Sequence, residues 1–290
     1  MIELNGVSKI FYDNFAIDDL TLHIPNATIF GLIGPNGSGK STILRLISGI
    51  YSADSGYLKV DGQSVYENLV LKQRIALVSY DPFFLPQSTL TEMRRFYRVF
   101  YPDFSDRFYR QLLDIFHLDE TMRIQRFTSS QRRIAALVLA LALNPNYLLL
   151  DESFNNLDFS LRQPLKNILR DNLENFGQTT IITANNLLEL ENICDSLAMI
   201  NKGKIILSGS HAELTTDIHK LQLAFPTKIS VKDLSNLNIL NYLQEAHHIT
   251  ILVKGNLKTI LKTIKSFKPF YIDQLEINLE ELFIYDKQNS

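Results

Sequence analysis

A chain of 290 residues with 46% hydrophobic content can bury a large core, which fits one large domain with an appendage or two domains. Its 29 basic and 31 acidic side chains leave a net charge of −2, so no global field favours nucleic acid or an acidic membrane surface. Cys194 is the only cysteine, which excludes an internal disulfide and fits a reducing compartment, and the start of the chain shows no charged-then-apolar export signal.

Residues 2–24 carry apolar side chains in short alternating runs, with turns expected near Asn5-Gly6, Asp13-Asn14 and Pro25-Asn26, and read as small strands. Phe11 and Tyr12 stand just before the second turn, where an aromatic ring can stack on a base or pack into the core. Residues 29–33 form an apolar run that reads as a buried strand. Gly34-Pro35-Asn36-Gly37-Ser38-Gly39-Lys40-Ser41-Thr42 follows and matches the phosphate-binding pattern G-x-x-x-x-G-K-[ST]. A helix over residues 41–50 completes the strand–loop–helix context that the pattern requires. Glycines let successive N–H groups turn inward, and the helix N-terminus adds partial positive charge where phosphates would sit. Lys40 would reach the terminal phosphates, and the Ser41 hydroxyl would serve Mg²⁺.

Residues 56–62 and 74–80 read as strands, the first ending in an Asp61-Gly62 turn and the second stopped by Asp81-Pro82. Between residues 89 and 143 the pattern becomes helical, and Phe96, Tyr97, Phe100, Tyr101, Phe104, Phe108 and Tyr109 crowd together with Arg94, Arg95 and Arg98. These aromatics either fill a core or line a groove for a partner's helix. Thr128 with Gln131 three residues on is a capping box, so a helix starts there and leaves free N–H groups near Ser129 and Ser130. Its most apolar part, residues 134–143, falls far short of the about 20 residues of a membrane span. Residues 147–150 form a buried strand carrying Asp151 and Glu152 at its C-terminal end, where parallel α/β sheets bind ligands. Asp151 is placed to hold Mg²⁺ and Glu152 to orient or deprotonate water. A polar loop through Asp158 leads to a helix over 161–175, a strand over 179–184, a helix over 187–195 and a closing hairpin over 197–207.

Over residues 2 to about 212 this order resembles the nucleotide-binding domain of ATP-binding cassette (ABC) proteins. Gly34 to Thr42 looks like the Walker A loop, Leu148 to Glu152 like Walker B with its catalytic glutamate, and Asn156-Leu157-Asp158 like the D-loop; Phe11 matches the base-stacking position. The resemblance implies an α/β P-loop NTPase core, a parallel sheet flanked by helices, with an antiparallel β subdomain and a helical insert at about 85–143. It also implies ATP and Mg²⁺ as ligands, Mg²⁺-dependent ATPase activity, a second nucleotide-binding subunit, an integral membrane partner, and a cytoplasmic place on the inner face of the membrane. Three positions depart from the pattern. Phe127-Thr128-Ser129-Ser130-Gln131 replaces the usual Leu-Ser-Gly-Gly-Gln that closes on the opposite subunit's ATP, and any left-handed geometry at the serines would cost about 1–2 kcal/mol each. The Q-loop glutamine aligns with Tyr80 and the switch histidine with Asn185, which donates hydrogen bonds but cannot become cationic. These departures imply either a slow ATPase or the degenerate half of a heterodimer.

Residues 213–290 are expected to form a small α+β C-terminal domain, with strands at 228–232, 249–254 and 270–277 and helices at 237–246, 257–267 and 279–286. The stretch at 277–283 looks like the C-terminal extension of ABC-2-type exporter subunits, and residues 101–104 in the aromatic-rich insert look similar to exporters of antimicrobial or toxin-like peptides.

Overall fold

Patterns with a period of two produce the first sheet. In the computed structural model, which describes residues 1–275 except 156, 188, 189, 191, 192, 215, 227–230, 235, 246 and 247, β1 (Ile2–Phe11) pairs antiparallel with β2 (Asn14–Ile24). Their apolar positions, among them Ile2, Leu4, Leu20 and Leu22, are buried. The turn expected at Asn5-Gly6 is instead an irregularity inside β1: Gly6 has φ 57° and the register shifts between Leu4 and Val7. A bulge takes up there the extra residue that turn chemistry assigns to a reversal.

All five residues of β3 (Ile29–Ile33) are buried, and the glycine-rich loop leads from it into α1 (Lys40–Ile47). This helix ends before the expected residue 50, because Gly49 adopts φ 69° and closes it. β4 (Ser55–Val60) joins the far side of β1, giving a three-stranded sheet in the order β2-β1-β4. After α2 (Leu69–Lys72) and β5 (Ile75–Val78) comes the helical insert of α3 (Leu90–Phe100), α4 (Asp106–Phe116) and α5 (Ser129–Ala142). Its aromatics divide: Phe104 and Tyr109 fill the core as one reading expected, whereas Phe96 and Phe100 form an exposed edge-to-face pair 5.2 Å apart.

β6 (Tyr147–Leu150), α6 (Phe159–Phe176), β7 (Thr179–Ala184), β8 (Ser196–Asn201) and β9 (Lys204–Ser210) complete this part. The helix expected over 187–195 lies partly outside the described residues. Six strands form one sheet in the order β5-β6-β7-β3-β8-β9, with parallel pairing from β5 through β8. Strands covered on both faces read as unbroken apolar runs, as β3 and β6 do. β3 lies between β7 and β8, so the loop that follows it opens beside the C-terminal ends of its neighbours. Among the described residues no helix is long and apolar enough to cross a membrane.

The chain divides into two compact units, Met1–Ser208 and Gly209–Ser290. The second contains α7 (His211–Leu214), β10 (Ile218–Ala224), β11 (Asn238–Glu245), β12 (His248–Lys254), α8 (Leu257–Ser266) and β13 (Tyr271–Leu275). Its antiparallel sheet runs β11-β12-β10-β13, and Leu221, Leu223, Ile251 and Val253 share a core with Ile260 and Ile264 of α8. The helix expected over 237–246 is strand β11: pairing with β12 from Asn238 opposite Lys254 to Glu245 opposite His248 outweighs a weak local helical pattern. Of the strand expected over 228–232, residues 228–230 lie outside the described residues and Val231–Leu234 forms a 3₁₀ turn. The helix expected over 279–286 and the exporter-like stretch at 277–283 also lie outside them.

Candidate active site

The phosphate-binding pattern forms a cup, and its glycines are steric requirements. A Cβ on Gly34 would stand 2.2 Å from the Ile200 carbonyl oxygen, and one on Gly39, which caps α1 at φ 110°, would stand 2.6 Å from the Ala16 carbonyl oxygen. Two main-chain bonds brace the cup. Gly34 N–H donates to the Ala184 carbonyl of β7 at 3.2 Å, and Gly203 N–H, in the turn between β8 and β9, donates to the Ser38 carbonyl at 2.9 Å. The closing hairpin thus props the loop. Lys40 is 4% exposed, and its Nζ donates to the Gly34 carbonyl (2.7 Å), the Pro35 carbonyl (3.1 Å) and Asn185 Oδ1 (2.9 Å).

Asp151 and Glu152 follow β6 directly. Thr183 of β7, one of three buried threonines in that strand, holds both: its hydroxyl donates to Asp151 Oδ1 and accepts from Glu152 N–H, each at 2.8 Å. Glu152 has φ 47°, a left-handed backbone that costs a non-glycine residue about 1–3 kcal/mol and clusters at functional sites. Its Oε2 accepts from Asn155 Nδ2 and from Asn185 Nδ2, both at 2.9 Å, and its Oε1 lies 3.6 Å from Lys40 Nζ. Asn185 therefore bridges the lysine of the cup and the glutamate of the neighbouring strand.

A second group gathers around α5. Thr128 and Gln131 form the expected capping box, with bonds of 3.1 and 3.0 Å. Ser129 and Ser130 lie in the right-handed first turn of α5 and neither has positive φ, so the strain expected of a left-handed geometry does not arise. Ser130 is buried, and its hydroxyl accepts from Asp158 N–H at 3.3 Å, which ties the signature-like segment to the D-loop-like one. Asn156 of that loop lies outside the described residues. Tyr80 is half exposed, with its ring against the Arg133 guanidinium. Phe11 lies on the three-stranded sheet, edge-on to Tyr51 at 5.3 Å and 5.5 Å from Lys9 Nζ.

Sequence reasoning missed Thr183, Asn155 and Arg133. Thr183 could not be singled out in the sequence, because Thr179 and Thr180 of the same strand carry the same hydroxyl. Asn155 was within reach of local reading, lying three residues after Glu152, whereas Arg133 lacked a signal because its partner Tyr80 lies on a distant segment. The residues present fit a magnesium polyphosphate. Ser38 Oγ is buried in the cup with no partner among the described residues, Gly34 and Gly39 exclude side chains, and Ser41 and Asp151 supply hard oxygen donors of the kind Mg²⁺ takes.

Residues 17–155 match the family model for ABC transporters. The chain is 29% identical over 284 residues to the ABC transporter ATP-binding protein YtrB of Bacillus subtilis, covering 98% of this chain and 97% of that one. It is 31% identical over 222 residues to the probable sulfate/thiosulfate import ATP-binding protein CysA of Chlorella vulgaris, covering 74% and 93%. The solved structure of an ATP-binding subunit of an ABC transporter superposes with a TM-score of 0.68 at 22% identity, over 74% of this chain and 92% of that one. The strand order, the cup with its lysine and acidic pair, and these relatives lead to one conclusion: the chain belongs to the ABC transporter family as an ATP-binding subunit.

Proposed function

We propose that this chain binds ATP with Mg²⁺ in the cup of Gly34 to Thr42, hydrolyses it, and uses the cycle of closure with a second nucleotide-binding subunit to drive a separate membrane-embedded partner. The observation that carries the reading is the bridge from Lys40 through Asn185 to Glu152, which joins a phosphate-binding lysine to a carboxylate next to Asp151. Lys40, the loop amides and the α1 N-terminus hold the phosphates. Ser41 and Asp151 hold the metal, which when bound draws charge from the transferring phosphate. Glu152, held by Asn155 and Asn185, orients water and accepts its proton. Asn185 also donates to the terminal phosphate, Phe11 stacks on the base, and Tyr80 lies at the edge of the nucleotide. Thr128, Ser129, Ser130, Gln131 and Asp158 serve the nucleotide held by the opposite subunit.

A groove of about 330 Å³ between β5, α3 and α5, lined by Pro82, Phe83, Phe84, Tyr97, Tyr101 and Leu139, is the surface offered to the membrane partner, and Phe83 is 73% exposed beside it. We read transport as outward, on the resemblance of the C-terminal stretch to exporter subunits. The import name of a relative such as CysA stands against that direction, and transport into inverted membrane vesicles decides it. The departures at Tyr80, Ser129, Ser130 and Asn185 favour a second reading, in which this chain is the slower half of a heterodimer.

Lys40→Ala tests the cup and Glu152→Gln the chemistry. The first is expected to abolish MgATP binding; the second is expected to keep binding while phosphate release falls by about a hundredfold or more. Unchanged affinity in the first variant, or unchanged release in the second, overturns the reading.

A further inference from the structure

Arg133, on the second turn of α5, is 9% exposed, an uncommon degree of burial for a guanidinium. Its Nη2 donates to the Tyr80 carbonyl at 2.7 Å, and its Cζ stands 5.3 Å from the centre of the Tyr80 ring. Its Nη1 is buried with no hydrogen-bond partner among the described residues. Burial pushes its pKa down, against the pull of Tyr80, Glu152, Asp151 and Asp81, so the guanidinium lies within the field of the acidic pair. Three residues earlier on the same helix, Ser130 holds the Asp158 amide.

Arginine presents a planar fork of donors in fixed directions. One arm here is committed to a main-chain carbonyl of the loop after β5, the strand whose Val78 carbonyl accepts from Asp151 N–H at 2.9 Å, and the other arm stays unpaired. A buried donor left without a partner costs stability, and such groups mark places where function overrides packing.

We propose that Arg133 is a positioning residue for hydrolysis: its guanidinium holds the segment at Tyr80 and Asp81 against the Asp151 and Glu152 pair. This rests on the reading above that the chain hydrolyses MgATP at Glu152. Through α5 the same residue links that segment to the helix whose first turn carries Ser129 and Ser130.

The full chain carrying Arg133→Met is compared with the parent and with Arg133→Lys in three measurements: equilibrium binding of MgATP, steady-state hydrolysis, and amide hydrogen exchange over residues 79–85. Arg133→Met is expected to lower kcat about tenfold or more while affinity and KM stay within about twofold. Amides 79–85 should exchange several-fold faster, and Arg133→Lys should recover much of both effects. An unchanged kcat, an affinity that falls in step with kcat, or unchanged exchange at 79–85 overturns the proposal. Should Arg133→Met fail to fold, Arg133→Gln, which keeps a polar side chain but loses the charge and the planar fork, is read in the same directions. A parent chain that binds MgATP without releasing phosphate overturns the hydrolysis reading and this proposal together, whereas a hydrolysing parent insensitive to Arg133→Met overturns this proposal alone.

Discussion

Thr183 shows how much of the site depends on a single hydroxyl. It orients Asp151 through a buried bond and supports the left-handed backbone of Glu152 through a partly buried one. Thr183→Val keeps the shape and leaves the Asp151 oxygen and the Glu152 amide without this partner. A loss of about 1–3 kcal/mol in urea unfolding is expected. ATP hydrolysis should fall about tenfold while MgATP affinity is retained. The residues whose meaning depends on local order, Gly34 to Thr42 and Asp151-Glu152, were legible in the sequence because strand, loop and helix are contiguous there. The Asn185 bridge was not, since it depends on β7 lying between β6 and β3. The conditional cost of left-handed serines in the signature-like segment does not apply, because Ser129 and Ser130 lie in a right-handed turn.

Elements were readable where their own residues determine them. The capping box at Thr128 fixed the start of α5, and all four residues of β6 are buried as their apolar run requires. Thr128→Ala removes the bond to Gln131 N–H and should cost about 1 kcal/mol, measured by chemical denaturation. It should also loosen the register of Ser130 against Asp158, seen as faster exchange of the Asp158 amide. Reading failed at β11 and inside β1, where pairing with distant strands decides between helix and strand or between turn and bulge. β10 was missed because nothing in residues 218–224 announces that it will be flanked by β12 and β13.

At the scale of the molecule, acid stability has an identifiable contributor in the first unit. Burial alone would raise the Asp61 carboxyl, but the Met1 amine, the Tyr147 hydroxyl and the Asn26 amide outweigh it and hold the pKa at about 2. A carboxylate held below its unfolded value adds stability that is fully present above about pH 4 and is lost as the pH falls towards 2. Solvent screening limits that contribution to about 1 kcal/mol. Asp61→Asn should therefore flatten the fall in unfolding free energy between pH 4 and pH 2, measured by urea titration at fixed pH values. The sheet order has a further consequence for synthesis. β3 and its loop leave the ribosome early, yet their partners β7 and β8 and the Gly203 amide that braces Ser38 are translated much later. A nascent chain arrested within α6 carries the whole glycine-rich motif and still lacks its scaffold, so capture of nucleotide should begin only once the ribosome has released the turn at Gly203.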